Sequence, residues 1–100
     1  MLDRTVQAEL EQWPHEVRAA LVKIVERIQQ VGLLKMREPH VKQIEGKLWE
    51  MRPSAAGQEG RALYVTRSGR RVIIVAAFMK KTQKTPRHMI ELALERAKGV

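Results

Sequence analysis

The run RVIIVAAF, residues 71–78, constrains the fold of this chain most strongly. It is continuously apolar after its first residue and rich in β-branched side chains, which is typical of a strand buried on both faces. It is too short to cross a bilayer as a helix. We therefore expect residues 71–78 to form the central strand of a sheet.

Two shorter segments also have strand character. Residues 47–52 alternate, with Leu48, Glu50 and Arg52 facing one way, and residues 61–67 form a second strand joined to 71–78 by a Ser68-Gly69 hairpin turn. Between these segments, 53–60 is predicted to be a turn or loop. Residues 33–46, with Pro39 and Gly46, are predicted to be a connector.

Helical periodicity flanks the strands. Residues 5–12 are good helix formers, Trp13-Pro14 ends that segment, and an i, i+4, i+7 apolar pattern predicts a helix over about 14–31, ended by Gly32. A last helix is predicted to begin with Thr85 as N-cap and Pro86 at its first position. The order helix, helix, strand, strand, strand, helix predicts a single α+β domain over 1–100. We expect an antiparallel sheet of three to four strands with the helices packed on one face.

Net charge is unevenly placed along the chain. Residues 1–60 carry nine basic and nine acidic residues, whereas 61–100 carry ten basic and two acidic, which accounts for the whole net charge of +8. This asymmetry favours a polyanionic partner, with nucleic acid ahead of an anionic membrane surface or an acidic protein. The absence of cysteine, and a first segment without an apolar signal core, fit a cytoplasmic protein.

Lys80, Lys81 and Lys84 lie just before the predicted N-terminus of the last helix, where the helix dipole disfavours cations. A bound phosphate would neutralise both the ammonium groups and the helix end. The alternative is that these lysines are solvated at a small energetic cost.

Arg52 and Arg61 lie on adjacent predicted strands. If their faces match, the two guanidinium groups could hold one phosphate; the alternative is that they pair with Glu50, Glu59 or solvent. Glu50 is either a general base or the ion-pair partner of these arginines. We expect Arg61 and Lys81 outside the core, and Trp49 and Tyr64 either in core packing or stacked on bases. The three histidines have no metal-site spacing, and no hydrolase, P-loop or dinucleotide motif is present.

Several segments resemble the HigB-like, phage-related branch of the RelE/ParE toxin superfamily. FMKKTQKTPRHMIELALERAKG (78–99) is similar to the C-terminal signature of that branch, and KLWEMRP (47–53) is similar to its E-L-R strand. The resemblance continues through an arginine-led hairpin, a helical hairpin and a connector, which are GRALYV with GRRVIIVAAF, WPHEVRAALVKIVERIQQVG and EPHVKQIEGKLWEMR.

The resemblance implies a RelE-like fold and the toxin of a type II toxin–antitoxin system, with a cognate helix-turn-helix, HigA-like antitoxin. It implies a metal-independent, ribosome-dependent mRNA endonuclease without a cofactor; a ParE-like toxin that binds DNA gyrase, or a small basic nucleic-acid-binding protein, is the alternative. Carried over by position, the catalytic candidates are Arg52, Arg61, Lys80, Lys81 and Lys84. The substrate-binding candidates are Glu50, Arg67, Arg87 and His88.

Two departures from the family pattern stand out. Relatives begin with a strand before the first helix, whereas only MLDR precedes it here, so that edge strand is expected to be short or missing. The exposed sheet edge would then be open to an antitoxin segment or to a second copy of the chain. Ala76-Ala77 also replace the His-Gly that many relatives carry before the phenylalanine.

Overall fold

The computed structural model describes residues 4–31, 41–67 and 71–100. Its elements are, in chain order, α1 (Arg4–Glu11), α2 (His15–Val31), β1 (Val41–Glu45), β2 (Leu48–Met51), β3 (Ser54–Ala55), β4 (Gln58–Arg67), β5 (Arg71–Met79) and α3 (Arg87–Ala97). All strand pairs are antiparallel, so the predicted α+β class is confirmed. None of the described helices is both long and apolar enough to cross a membrane.

The strand β4 lies at the centre of the sheet. It pairs with β2 on one side and with β5 on the other; β1 continues the sheet beyond β2, and β3 forms a short hairpin with the start of β4. The prediction that 71–78 is the central strand is therefore wrong, because among the described strands β5 pairs with β4 alone. Residues 72–77 are nevertheless buried, as predicted.

Helices on both sides of the sheet explain this burial. One core joins α1 and α2 to the sheet through residues such as Val6, Leu21 and Tyr64. The second core lies between the opposite face and α3, with Ala93 packed among Leu63 and its neighbours. The prediction that all helices share one face of the sheet is wrong, because α3 packs on the face opposite to α1 and α2.

A register shift between Leu63 and Tyr64 shapes β5. Leu63 pairs with Ala76 and Tyr64 pairs with Ile74, so Val75 is the extra residue of a β-bulge. Val75 and Ala76 consequently both join the core under α3. The bulge lets consecutive residues fill the same face.

Two strands were missed by the sequence patterns. The predicted connector 33–46 contains β1, and the predicted loop 53–60 contains β3 and the first residues of β4. Between β3 and β4, Ala56 and Gly57 have φ of +54° and +77°, the backbone of a tight two-residue hairpin turn. The expectations for Gly32, for Ser68-Gly69 and for the strand before α1 fall outside the described residues.

The outer edge of β5 is covered by an ion pair between two helices. The Ala77 N–H donates to the Glu9 carboxylate of α1 at 3.0 Å, and Arg96 of α3 donates to the Val75 carbonyl at 3.0 Å. The same Arg96 nitrogen contacts Glu9 at 3.0 Å. These side chains satisfy backbone groups that a neighbouring strand would otherwise pair.

Candidate functional site

A buried carboxylate, Glu50, stands at the centre of a polar cluster on the α3 side of the sheet. Its side chain is fully buried. It accepts hydrogen bonds from Arg52 Nε at 2.8 Å and from the Thr85 hydroxyl, and Arg61 Nη1 lies 3.6 Å away. A buried charge is tolerated only when it is paired and hydrogen-bonded. Of the two roles considered for Glu50, the structure therefore shows that of ion-pair partner.

Arg61 is almost completely buried, at 3% exposure, so the expectation that it lies outside the core is wrong. Its Nε donates to Glu59 at 3.0 Å, and its Nη1 and Nη2 donate to the Thr85 hydroxyl and the Gln83 carbonyl, each at 3.1 Å. These hydrogen bonds therefore hold the segment after β5 against β4, the central strand.

Arg52 has a different environment. Extending the Met51–Ala62 pairing by one residue places Arg52 opposite Arg61, and the two guanidinium groups meet at Glu50. The Arg52 side chain is 22% exposed, and its terminal nitrogens have no partner among the described residues. Arg52 can therefore donate to a ligand while its Nε stays on Glu50.

The segment between β5 and α3, residues 80–86, is the lysine segment, and it borders an open cavity of about 260 Å3. The Lys80 N–H donates to the Glu59 carbonyl at 2.9 Å, which starts the segment at the end of the β4–β5 ladder. Lys80, Lys81 and Lys84 line the cavity without a carboxylate partner in the part of the chain that the structure describes. The remaining lining residues are Arg61, Phe78, Met79, Thr82, Pro86, His88 and Met89.

The N-terminus of α3 opens beside the lysines. The prediction that Thr85 caps this helix is wrong: Pro86 is the N-cap, and the helix has no side-chain cap hydrogen bond. The Thr85 hydroxyl is bound to Glu50 and Arg61 instead. An uncapped helix start adds positive potential next to three ammonium groups, which suits an anionic ligand.

Two of the predicted substrate-binding residues lie away from the cavity. Arg67 stands at the far end of β4, paired with Arg71, about 20 Å from Arg61 at the usual rise of a strand. Arg87 is exposed and donates to Glu45 at 2.7 Å and to Glu91 at 3.4 Å. The hydrogen bond and charge of Glu45 raise the pKa of Arg87, and Arg87 lowers the pKa of Glu45 in the same way.

Two polar residues of the cluster, Gln83 and Thr85, were not anticipated as parts of it. Pairing of the arginines with Glu50 and Glu59 was one of the two alternatives considered, and both strands carry Glu-x-Arg, as Glu50-Arg52 and Glu59-Arg61. Residues i and i+2 share a face of a strand, so each glutamate lies beside its arginine. The contacts of Gln83 and Thr85 span more than 20 residues and have no local signal.

The two aromatic residues considered for base stacking belong to the core. Tyr64 is fully buried, and burial raises the pKa of its hydroxyl far above the usual range. Trp49 packs against the core under α1 and α2. No group of three metal-ligating side chains is found within residues 4–31, 41–67 and 71–100.

Comparison with known proteins gives consistent matches. The family described as "Phage derived protein Gp49-like" matches residues 8–98, which include every residue of the cluster and the cavity. The chain is also similar to "Probable endoribonuclease HigB1" of Mycobacterium tuberculosis, in strains CDC 1551 / Oshkosh and ATCC 25618 / H37Rv. In both cases 37% of 90 aligned residues are identical, covering 90% of this chain and 69% of the relative.

Proposed function

Because the chain belongs to the Gp49-like family and to the HigB-like branch of the RelE/ParE toxins, we propose that it is the toxin of a toxin–antitoxin pair and an endoribonuclease. The observation that carries this proposal is the cavity beside α3, which is lined by three lysines that have no carboxylate partner among the described residues. The name of the Mycobacterium relatives, probable endoribonuclease, gives the same reaction class.

The proposed reaction is attack of an RNA 2′-hydroxyl on the adjacent phosphate. The 2′-oxygen loses its proton and bonds to phosphorus, and the bond to the 5′-oxygen breaks as that oxygen gains a proton. Negative charge builds up on the phosphoryl oxygens between these steps. Cations fixed around that point stabilise it, which is usually the largest single contribution to catalysis.

Lys80, Lys81 and Lys84, which line the cavity, stabilise the phosphoryl oxygens in this proposal. Arg52 is not among the lining residues, and its exposed end approaches the same ligand from the end of β2. Imidazole exchanges protons near neutral pH, and His88 is the imidazole that lines the cavity. Arg61 and Glu50 keep the lysine segment in place and need not touch RNA.

The substrate we propose is mRNA on the ribosome, cleaved without a metal ion. The ribosome would fix the backbone conformation of the RNA and so supply the orientation that an open cavity lacks. A helix-turn-helix, HigA-like antitoxin is the proposed partner, in the cytoplasm, and self-association through a sheet edge is a further proposal.

Mapping of mRNA 5′ ends tests this function. The chain is expressed in cells, and the purified protein, freed of bound metal by dialysis against a chelator that is then removed, is also added to translating ribosomes in their magnesium buffer; Lys81→Ala is the matched variant. We expect cleavage within codons at the ribosomal A site in both settings, undiminished by the prior chelator treatment and lost in Lys81→Ala. Intact mRNA together with accumulated DNA breaks in the expressing cells would favour a gyrase-directed toxin, and RNA binding without cleavage would favour a simple binding protein.

A further inference from the structure

The lining of the cavity beside α3 has a cationic part and an apolar part. Three lysines supply its cationic part, whereas Phe78, Met79, Pro86 and Met89 supply an apolar part. Phosphate oxygens gain nothing from apolar neighbours, since they bind through charge and hydrogen bonds. The apolar lining therefore indicates that the ligand carries an apolar surface next to its negative charge.

Phe78 is the aromatic residue of this lining. It pairs with Arg61 across β4 and β5, and it is only half-buried although it follows six buried residues of the same strand. Tyr64 is fully buried, and the partly buried Trp49 packs against the core under α1 and α2, away from the cavity beside α3. Phe78 thus remains partly open at the point where the lysine segment begins.

The cavity volume restricts the size of the ligand. About 260 Å3 is below the usual range for drug-sized ligands, and it accommodates one planar ring system but not a base pair. A single nucleotide has this size and combines a flat apolar surface with an adjacent negative charge.

We propose that the cavity binds a single unstacked nucleobase against Phe78 and Met89 while the lysines hold the adjoining phosphates. This inference rests on the proposed function, because it takes the ligand to be RNA. Every base has a flat face, so such a subsite favours single-stranded RNA and discriminates weakly between bases. The Thr82 hydroxyl is already engaged with the Lys84 carbonyl at 2.7 Å, so its proton is not available to read a base edge.

Paired oligonucleotides that differ only in their bases test this subsite. Two fluorescent 2′-O-methyl RNA strands of the same length are used, one with all bases and one abasic at its central positions, because neither can be cleaved through a 2′-hydroxyl. Their charges are equal, so lysine contacts contribute equally to both. We expect the strand with bases to bind about 5- to 150-fold more tightly in fluorescence anisotropy at fixed salt.

Two variants separate stacking from charge. Phe78→Leu keeps an apolar side chain and is expected to bring the two affinities together, whereas Lys81→Ala is expected to weaken both equally. Equal affinity of the unmodified protein for the two strands would overturn the subsite, whether or not Phe78→Leu folds. Failure of the proposed function would look different, since then neither strand binds or translating ribosomes keep their mRNA intact.

Discussion

At the scale of single residues, Arg61 is the cation whose role changes most between sequence and structure. The family pattern places it at the phosphate, yet its nitrogens contact Glu59, Thr85 and Gln83 inside the protein. A guanidinium with five N–H donors in a rigid fork suits this bridging, because it holds three acceptors at fixed angles. We therefore assign Arg61 to the support of the lysine segment.

Replacing Arg61 by alanine is expected to lower the free energy of unfolding by about 3 kcal/mol, because the buried Glu50 loses one of its two cationic partners. Lys81→Ala is the matched control: Lys81 is exposed, and its loss should change stability by less than about 0.5 kcal/mol. Urea denaturation measures both. A wild-type midpoint for Arg61→Ala would show that its contacts do not support the fold.

The Thr85 hydroxyl joins Glu50 to Arg61, and two substitutions isolate it. Thr85→Val keeps the shape and removes the hydroxyl, which should cost about 1–3 kcal/mol because a buried carboxylate loses a donor. Thr85→Ser keeps the hydroxyl and should cost about 0.8 kcal/mol or less. Oligonucleotide affinity should fall several-fold in the valine variant alone. Equal losses in both variants would mean that the methyl group, not the hydrogen bonds, positions the segment.

At the scale of elements, the outer edge of β5 is covered by side chains from both helical layers. Glu9→Ala removes the acceptor of the Ala77 N–H and the partner of Arg96. Hydrogen exchange at the Ala77 amide should accelerate relative to the unmodified protein, whereas Glu16→Ala, an exposed substitution on α2, should leave it unchanged. An unchanged rate in Glu9→Ala would show that another group protects this edge.

The Glu45–Arg87 pair links β1 to α3, and its effect depends on pH. Because Arg87 lowers the pKa of Glu45, the pair stabilises the fold above the usual value of 4.5 and loses this effect as pH falls through the lowered pKa. Glu45→Gln should therefore reduce the acid-induced fall in melting temperature. The difference should be small and should shrink in high salt, since both groups are exposed. A salt-independent difference would contradict a direct ion pair.

Local patterns predicted the long elements and missed those defined by pairing. Both N-terminal helices and strands 47–52, 61–67 and 71–78 were recognisable from periodicity. In β1, buried and exposed residues alternate only partly, and the strand is defined by its pairing with β2. The strand β3 is defined by its pairing with β4 across a tight turn. The placement of α3 opposite the other helices depends on the loop path, which no residue period encodes.

At the scale of the whole molecule, the sequence predicted which part of the chain carries the positive charge, but not that Arg61 is buried in a polar network. Lys80, Lys81 and Lys84 line one cavity with Arg61, whereas Arg52 is not among its lining residues, and the catalytic role of these cations stays a prediction. The network of Glu50, Arg61 and Thr85 depends on residues 11 to 35 positions apart, so it required the folded sheet. The resulting molecule has a buried polar support beneath a cationic opening.

The most direct test of the central claim, that the lysine segment binds RNA phosphates, is the salt dependence of oligonucleotide binding. Each phosphate contact to a single strand contributes about 0.7 to the slope of log K against log salt concentration. We expect Lys80→Ala, Lys81→Ala and Lys84→Ala each to reduce the slope by about this amount, whereas Lys23→Ala, at an exposed position of α2, leaves it unchanged. A slope that all three lysine substitutions leave intact, or that Lys23→Ala reduces equally, would contradict the account.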